Sequence, residues 1–596
     1  MTGKEELSAC FEQVKHGEME ISTLEALDVT VLMKLSNRLK KWKKTQPEGE
    51  LRIAVLGSYS IQHFVGILDV FLTGLGIDAC IYEGEYDGIQ MDVLDQSSAF
   101  YEFRPQLVLL LMHAPDIKVF PALFDTTEEI KHLLDKQMQY FDTLIQRISR
   151  IEGAQILMTN LVIPFHRQLG NLEADYAFTK TEYLKCINHE LVLQRKNNVT
   201  IMDMEYLSSL IGKEQWFDFS SYFLTKTGYD VNCLGRSVAM FARTIQSMQG
   251  KVKKCLVLDL DNTLWGGVVG DDGYEGIQLD PHHAVGEAYR YFQKYILELK
   301  NRGVILAICS KNEEDTAKLP FEKNENMILK LSDISCFVAN WNDKAQNILQ
   351  IAKELNIGTD SLVFVDDNPA EREIVKQYLK EVMVIDLPED PAAYVTALEL
   401  ANPFEWTQIT REDIKRSDSY VQNLKRQELE ESFVNYEEYL KALHMETKIG
   451  APTEQKLERF TQLINKSNQF NLRTKRYTFA EILSMKEQTD YALIGVELKD
   501  KFTEYGIISC IILKKNGEEC FIDTWLMSCR VLKRGIEDIA FAFVQETAKK
   551  WGCKRIIGEY IPSAKNKMVQ DFYTKLGFTT IENEDNRFIY PLEGND

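Results

Sequence analysis

Short apolar segments that end in polar or charged residues recur within residues 251–402 of this 596-residue chain. Three of them, Cys255–Leu260, Val304–Cys309 and Ser361–Asp366, have the length and apolar content of buried strands. Helical patterns separate them, and strands that alternate with helices indicate a parallel sheet. Because ligands in such sheets bind at the carboxyl ends of the strands, the polar residues that follow each strand are expected to form one site.

The pattern of strands and helices divides the chain into three blocks. Residues 1–247 alternate strand and helix after a helical N-terminal extension, as residues 251–402 do, so each is predicted to be an α/β domain. Residues 405–596 read as consecutive antiparallel strands followed by a helix, a strand and a final helix over Asn566–Leu576, which indicates a mixed α+β domain. A length of 596 residues fits several cores at about 100–200 residues per domain.

Composition excludes several classes of partner. The formal net charge is −21 and no basic stripe interleaves with aromatic residues, so we expect no nucleic acid partner. The longest apolar segment, Phe64–Ile77, is too short to span a bilayer and contains Asp69, so we expect no membrane span. The N-terminus lacks the pattern of a signal peptide, which predicts a cytoplasmic protein.

Carboxylates follow two of the three predicted strands of the middle block. Asp259 and Asp261 close the first strand, Ser310 follows the second, and Asp366 and Asp367 follow the third. Two acids so close together repel each other and need a cation or a proton to coexist. Carboxylate oxygens are ligands that Mg²⁺ prefers, so all four acids are candidate magnesium ligands.

The segment Asp259-Leu-Asp-Asn-Thr263 fits the motif D-x-D-x-T. It resembles the first motif of the haloacid dehalogenase (HAD) superfamily of aspartyl-phosphate phosphotransferases. The resemblance implies that Asp259 is the nucleophile that attacks a phosphoryl group. It also implies that Asp261 protonates the leaving group and later activates water, a role in which a positioned acid contributes about 10²–10⁴-fold.

The other elements of that superfamily's site follow in the expected order. The resemblance implies that Ser310 hydrogen-bonds the phosphoryl oxygens, that Lys344 neutralises charge in the transition state, and that Asp366 and Asp367 hold Mg²⁺. About 50 residues separate Asp261 from Ser310 and about 34 separate Ser310 from Lys344. Neither gap has room for a substantial cap domain, so we expect an open site that admits a macromolecule or a carrier-bound group.

The longer signature Asp259–Gly273, with its Leu-Trp-Gly-Gly-Val-Val-Gly flap, resembles the FkbH-like proteins of HAD subfamily IIIC. That resemblance implies a HAD-type Rossmann-like parallel sheet flanked by an SGNH/flavodoxin-like α/β domain and a GNAT-like mixed α+β domain. It implies that 1,3-bisphosphoglycerate acylates an enzyme thiol, that the 3-phosphate is removed, and that the glyceryl unit passes to an acyl carrier protein in polyketide or related biosynthesis.

The implied chemistry needs a thiol near the phosphate site. Cys309 precedes Ser310, and a thiolate beside Lys311 and a metal would have a lowered pKa. The alternative, that Cys309 is the last apolar residue of a buried strand, is left open. Cys255 lies at the start of its strand and is the weaker candidate.

The first strand of the N-terminal block ends in Gly57-Ser58-Tyr59-Ser60, where the SGNH family would place Gly-Asp-Ser. Tyr59 then occupies the nucleophile position, and the family's D-x-x-H base is absent. An ester hydrolase with a Ser-His pair is therefore not expected. Ser58, Ser60 and Asn160 are interpreted as turn and helix-cap residues of a docking or structural domain.

A phosphate-binding loop is predicted in the third block. Arg530, Lys533, Arg534 and Gly535 precede a helix and resemble the GNAT pyrophosphate loop. Helix N-termini with bare backbone amides bind phosphates. The loop is therefore expected to hold coenzyme A or carrier-bound phosphopantetheine.

The segment Asn566–Phe578 resembles the final GNAT motif and places Tyr573 where the family has its general acid. An aromatic ring packed under the helix is the equally acceptable alternative. Residues 401–596 carry 29 basic and 31 acidic groups, which makes them the most nearly neutral part of the chain. Carrier proteins are usually acidic, so we expect an acyl carrier protein to dock on residues 401–596.

Three functions fit the sequence. The preferred one is Mg²⁺-dependent loading of a glyceryl unit onto an acyl carrier protein. The alternatives are a plain HAD phosphatase acting on a phosphorylated small molecule or carrier, and a GNAT-type acyltransferase whose HAD block is secondary.

Overall fold

The computed structural model describes residues 3–46, 49–414, 433, 435–467, 469–528, 531–532, 534–563, 566–581, 584 and 586–592. The chain divides into two compact units. One unit comprises Met1–Gln246 with Tyr477–Leu483, and the other comprises Ser247–Arg476 with Ser484–Asp596. The described residues form three sheets, one inside each predicted block, and the domain limits themselves stay a prediction.

The first sheet is parallel and has the strand order β2-β1-β3-β4-β5. Its strands are β1 (Leu51–Gly57), β2 (Ala79–Glu83), β3 (Leu107–Leu111), β4 (Gln155–Thr159) and β5 (Val199–Met202). The helices of this part of the chain are α1 (Gly3–His16), α2 (Ile21–Glu25), α3 (Val29–Lys43), α4 (Gln62–Gly74), α5 (Ile89–Leu94), α6 (Ala99–Phe103), α7 (Thr127–Ile148), α8 (Lys180–Leu193), α9 (Met204–Ile211), α10 (Lys213–Trp216), α11 (Phe219–Thr225) and α12 (Leu234–Met248). Strand β3 is buried along its whole length, as the central strand of a covered parallel sheet should be.

The second sheet is also parallel, with the order β10-β9-β6-β7-β8. Its strands are β6 (Cys255–Leu258), β7 (Ile305–Ser310), β8 (Cys336–Ala339), β9 (Leu362–Asp366) and β10 (Met383–Asp386). The helices are α13 (Val269–Gly276), α14 (Ala284–Asn301), α15 (Glu314–Lys323), α16 (Lys344–Glu354), α17 (Pro369–Tyr378), α18 (Tyr394–Ala401) and α19 (Arg411–Ile414). The predicted Rossmann-like parallel sheet of the middle block is therefore confirmed.

Successive residues of the second sheet point into two separate hydrophobic cores, because side chains alternate across a strand. Leu306 and Ile308 of β7 belong to one core. Ile305, Ala307 and Cys309 belong to the other. The side chain of Cys309 therefore packs in the second of these two hydrophobic cores, together with Ile305 and Ala307.

The third sheet is mixed, as predicted, with the order β11-β12-β13-β14-β15-β17-β16 and one parallel pair, β14 with β15. Its strands are β11 (Glu446–Gly450), β12 (Tyr491–Lys499), β13 (Glu504–Asn516), β14 (Glu519–Met527), β15 (Arg555–Glu559), β16 (Thr579–Thr580) and β17 (Arg587–Pro591). The helices are α20 (Tyr436–Ala442), α21 (Glu454–Lys466), α22 (Phe479–Glu487), α23 (Ile536–Lys550) and α24 (Phe572–Lys575).

The predicted final helix over Asn566–Leu576 is wrong as a continuous element. The segment forms a 3₁₀ turn, Lys567–Val569, and then the short helix α24. Asp571 has φ −95° and ψ 12°, outside the helical region, and it separates the two turns.

No helix in the described ranges is both long enough and apolar enough to cross a membrane.

Candidate active site

The carboxyl ends of β6, β7 and β9 lie side by side, because β6 pairs with both β7 and β9. Asp259 directly follows β6, Ser310 ends β7 and Asp366 ends β9. Lys344 is the first residue of α16, which follows β8. All four side chains are nearly inaccessible to solvent. The parallel sheet thus brings together residues that are far apart in sequence, as predicted.

The Lys344 ammonium lies between two carboxylates. Its Nζ atom is 2.8 Å from Oδ1 of Asp259 and also forms an ion pair with Oδ2 of Asp366. Burial by itself would lower the pKa of Lys344, but the two carboxylates outweigh burial and raise the pKa above its usual value. Lys344 therefore remains a buried cation at neutral pH.

Three acids of the site carry pKa values above their ordinary range. Burial is the main cause for Asp259, and the nearby Asp366 charge adds to it while Lys344 opposes it. Burial also raises the pKa values of Asp366 and Asp367. One ammonium cannot neutralise three carboxylates, so the site has an excess of negative charge that a metal cation would balance.

The donor set fits Mg²⁺. Asp259, Asp366 and Asp367 each offer a carboxylate oxygen, and these oxygens lie within 4.8 Å of one another. In an octahedral Mg²⁺ site with bonds of about 2.0–2.1 Å, ligand oxygens are separated by about 3–4 Å. Hard oxygen ligands at nearly this spacing suit magnesium.

The Asp261 carboxylate is not a member of that cluster. Its Oδ1 atom accepts hydrogen bonds from Nε1 of Trp265 and from the backbone N–H of Val269, both at 2.9 Å. Its Oδ2 atom accepts one from Nδ2 of Asn312 at 2.8 Å. These donors fix the Asp261 side chain next to the cluster, a position that suits a proton-transfer group.

Sequence reasoning assigned no role to Asn312, which links two predicted site residues. Its Nδ2 atom reaches both Asp261 and, at 3.2 Å, the hydroxyl of Ser310. The segment Ser310-Lys-Asn312 follows a predicted strand, so the sequence places it at the carboxyl edge of the sheet. The sequence does not tell which of its side chains points towards the site. Lys311 turns instead to Glu371, at 2.6 Å.

Two further residues hold the turn after β9 in place. The Arg372 guanidinium donates from Nη1 to the backbone carbonyls of Asp366 and Asp367, both at 2.7 Å. The buried hydroxyl of Thr263 accepts a hydrogen bond of 3.1 Å from the backbone N–H of Asp367. The last residue of the D-x-D-x-T motif therefore positions the third strand end.

The flap between β6 and α14 folds back over its own strand end. Gly266 pairs with Gln278 in an isolated antiparallel bridge, and Trp265 is fully buried against Phe321. Within residues 251–402, all of which are described, the segments between the site residues form α13, α14, α15 and β8 and no separate cap. This agrees with the expectation that the gaps hold no substantial cap domain, and access of a macromolecule to the site stays a prediction.

The expected lowering of the Cys309 pKa is wrong. The Cys309 side chain is fully buried, and burial raises the pKa of its thiol to about 12, against a smaller opposing effect of Lys344. The Sγ atom lies 3.9 Å from the backbone carbonyl of Lys344. Cys255, the weaker candidate, is fully buried as well. The arrangement matches the alternative in which Cys309 is a core residue.

The predicted phosphate loop of the third sheet is described only in part, since Arg530 and Lys533 lie outside the described residues. Gly535 has φ 72° and precedes α23. The Arg534 guanidinium is directed at Asp500 and Tyr505, with Nη1 at 3.3 Å from the carboxylate and 2.9 Å from the hydroxyl.

Tyr573 is buried among aromatic rings. Its ring centroid lies 5.0 Å from that of Phe578 and 5.3 Å from that of Phe588. Burial raises the pKa of its hydroxyl well above the usual value. This environment matches the alternative in which Tyr573 packs as a core aromatic.

Of the three N-terminal residues interpreted as turn and helix-cap residues, Ser60 and Asn160 make such contacts, whereas the Ser58 hydroxyl contacts the side chains of His113 and Asp116 instead. The Ser60 hydroxyl donates to the carbonyl of Thr225 at 2.6 Å. Asn160 donates to Asp203 at 2.7 Å and accepts from the N–H of Glu205 at 3.0 Å.

Comparison with known proteins identifies the chain's family. The model described as "FkbH, N-terminal domain" matches residues 52–245. The solved structure of the N-terminal part of protein BF1531 from Bacteroides fragilis, which contains a phosphatase domain complexed with Mg, is 34% identical. The match covers 63% of this chain and 99% of that chain, with a TM-score of 0.57.

The chain belongs to the FkbH family. Two acetyltransferase structures match smaller parts of this FkbH-family protein. The ribosomal-protein-S18-alanine N-acetyltransferase of Escherichia coli is 12% identical over 25% of this chain and 97% of that chain, with a TM-score of 0.20. The PaiA N-acetyltransferase of Thermoplasma acidophilum, in complex with coenzyme A, is 16% identical over 24% of this chain and 96% of that chain, also with a TM-score of 0.20. No curated protein sequence matches the chain.

Proposed function

We propose that this FkbH-family protein is a HAD-type phosphatase whose full reaction loads a glyceryl unit onto an acyl carrier protein. The observation that carries the proposal is the cluster of Asp259, Lys344, Asp366 and Asp367 at the carboxyl edge of the second sheet. The Mg-bound phosphatase domain of the BF1531 relative supports the phosphatase part.

The phosphoryl transfer has two steps. An oxygen of the Asp259 carboxylate attacks the phosphorus, the bond to the leaving oxygen breaks, and Asp261 gives its proton to that oxygen. Asp261, now a carboxylate, takes a proton from a water molecule, whose oxygen attacks the phosphorus. The bond between phosphorus and Asp259 then breaks, which releases inorganic phosphate and restores Asp259.

Other side chains of the site serve charge and orientation. Lys344, 2.8 Å from Asp259, neutralises charge that develops around the nucleophile. The Ser310 hydroxyl is available to donate to a phosphoryl oxygen, and Asn312 keeps Asp261 in place. Asp259, Asp366 and Asp367 would hold Mg²⁺, which when bound neutralises the phosphoryl oxygens.

The acyl transfer requires a thiol acceptor. In 1,3-bisphosphoglycerate, a thiolate attacks the C1 carbonyl carbon and inorganic phosphate leaves with the broken C–O bond. The 3-phosphate is then removed at the Asp259 site, which leaves a glyceryl thioester. Cys255, Cys309 and Cys336 are all buried. We therefore propose that the acceptor is the phosphopantetheine thiol of the carrier and not one of these cysteines.

One incubation tests this function. The full chain, Mg²⁺, 1,3-bisphosphoglycerate and a holo-carrier protein are combined, and the mass of the carrier is measured. Glyceryl addition to the carrier is expected, and Asp259→Asn should leave the 3-phosphate in place on the carrier. Asp315→Asn, an exposed acid on α15, is the matched control and should behave as the wild type.

Other results would select an alternative. Phosphate release without carrier acylation would indicate a plain phosphatase. Carrier acylation from an acyl-coenzyme A alone would indicate a GNAT-type transferase.

A further inference from the structure

A cavity of about 250 Å³ lies at the carboxyl edge of the first sheet. Residues that follow four of its strands line it: Tyr59 after β1, His113 after β3, Val162 after β4 and Met204 after β5. This edge is where α/β sheets bind ligands, and well-formed apolar cavities are common binding sites. The volume exceeds the roughly 150 Å³ of a cavity that accepts benzene. It therefore suits a single ring with small substituents.

Aromatic rings make up much of the lining. Trp216 stacks on Tyr229 with ring centroids 4.5 Å apart, and Tyr59 meets Tyr229 edge-on at 6.0 Å. Phe219 and Tyr222 complete this wall. Rigid aromatic walls of this kind contact an apolar ring at little loss of side-chain entropy.

Two histidines line the cavity, His113 and His166. The ring of His166 stacks on that of Phe219 with centroids 4.8 Å apart, whereas the orientation of His113 is fixed by hydrogen bonds. Its Nδ1 atom lies 3.0 Å from Oδ1 of Asp116 and 2.9 Å from the hydroxyl of Ser58. The Ser58 hydroxyl donates to Oδ2 of Asp116 at 2.6 Å, and the backbone N–H of His113 donates there at 2.9 Å. With Nδ1 protonated toward Asp116, Nε2 of the neutral ring is an acceptor that makes no hydrogen bond to the residues the structure describes.

Ser58 is a positioning residue in this arrangement. In a Ser-His-Asp triad the serine and the acid bind opposite nitrogens of the imidazole. Here both contact Nδ1, and Ser58 is not among the lining residues. Ester hydrolysis at this site is therefore not expected.

The charges at the cavity disfavour an anionic ligand. Asp218 is part of the lining and the carboxylate of Asp116 lies behind His113. The cavity residues all fall within the described range 49–414, and none of them is a lysine or an arginine. A phosphate or carboxylate would meet repulsion from these acids, and the Lys226 ammonium, 5.1 Å from the ring centroid of Tyr222, lies outside the lining.

We propose that this cavity binds a neutral, mainly apolar small molecule of about one ring in size, with a hydroxyl group that donates a hydrogen bond to Nε2 of His113. The inference does not depend on the proposed function, because every residue it uses lies between Ser58 and Tyr229, outside the Asp259 site. Asp259→Asn should leave binding unchanged, so failure of one proposal does not imply failure of the other.

The test uses p-cresol as the probe on the full-length protein, with toluene as the matched ligand that lacks the hydroxyl. Saturable binding of both is expected by calorimetry or ligand-observed NMR. His113→Asn keeps a donor for Asp116 but removes the Nε2 acceptor, and it should weaken p-cresol binding at least about fivefold with little effect on toluene. Tyr222→Ala should weaken binding of both ligands.

Control variants and competing ligands complete the design. His132→Asn, an exposed histidine on α7, should bind both ligands as the wild type does. Absence of saturable p-cresol binding, or an unchanged affinity in both His113→Asn and Tyr222→Ala, would overturn the proposal. Tighter binding of tetramethylammonium than of p-cresol would show a cation site instead. Hydrolysis of p-nitrophenyl acetate that Ser58→Ala abolishes would show that Ser58 is a nucleophile after all.

Discussion

At the scale of single residues, the candidate active site depends on one buried ammonium among acids. Lys344 is surrounded by carboxylates that would repel each other without it, and its side chain is only 4% exposed. Removal of one partner from a buried ion pair leaves an uncompensated charge, which is usually more damaging than loss of the pair as a whole.

Lys344→Met should therefore lower the free energy of unfolding by about 3–5 kcal/mol in metal-free buffer. Mg²⁺ should restore part of that loss, because a cation again balances Asp259 and Asp366. Urea denaturation with and without Mg²⁺ measures both effects. Lys353→Met, an exposed residue on the same helix, should stay within about 0.5 kcal/mol of the wild type. Equal unfolding free energies for both variants would contradict the ion-pair account.

Cys309 should be chemically inert in the native protein. With its pKa raised to about 12 by burial, the thiolate fraction at pH 8 is about one in ten thousand and reaches one half only at about pH 12. Native iodoacetamide treatment at pH 8 should modify the exposed Cys186 and spare Cys309, as read by peptide mass spectrometry.

Activity measurements on the Cys309→Ala variant test the same interpretation of Cys309 as a core residue. It should retain phosphatase and acyl-transfer activity and lose about 1 kcal/mol of stability, because a small buried side chain is truncated. Loss of transfer activity in a folded Cys309→Ala protein would restore the acyl-enzyme hypothesis for this thiol.

At the scale of elements, the flap after β6 is held by its backbone conformation. Gly267 has φ +92°, and a Cβ atom there would lie 2.5 Å from Oδ2 of Asp272. That carboxylate accepts a hydrogen bond of 2.8 Å from the backbone N–H of Val268. Both the positive φ angle and the close approach of the Asp272 carboxylate therefore require glycine at position 267.

Gly267→Ala should destabilise the protein by about 1–2 kcal/mol and lower phosphatase activity, because the flap carries Trp265 and Val269, which orient Asp261. Gly270→Ala is the matched control, since the nearest atom to its Cβ would be 3.9 Å away. Thermal unfolding and phosphate release measure the two effects. Equal behaviour of the two variants would exclude a structural role for the flap glycine.

Elements with a clear pattern were predictable, and breaks in a pattern were not. The sequence periodicity predicts α7 and α14 with their observed bounds, Thr127–Ile148 and Ala284–Asn301. The predicted helix over Asn566–Leu576 fails because the backbone of Asp571 leaves the helical region. Local periodicity contains no information on such a break.

At the scale of the whole molecule, the strand ends of a parallel sheet explain what the sequence could and could not reveal about the sites. Asp259, Ser310 and Asp366 were predictable because parallel strands place their carboxyl ends together. Asn312 was missed because the orientation of a loop side chain depends on its partners. The aromatic cavity was missed because its lining extends from Tyr59 to Tyr229 and has no local motif.

The central claim is that Asp259 carries the phosphoryl group during the reaction. Single turnover of the full chain with Mg²⁺, 1,3-bisphosphoglycerate and a holo-carrier protein, stopped by acid within milliseconds to seconds, allows the protein-bound phosphoryl group to be located by peptide mass spectrometry. We predict a transient phosphoryl group on the peptide that contains Asp259, absent in Asp259→Asn and present in Asp315→Asn. Loss of the 3-phosphate without any phosphorylated protein, or with the phosphoryl group on another residue, would contradict the account.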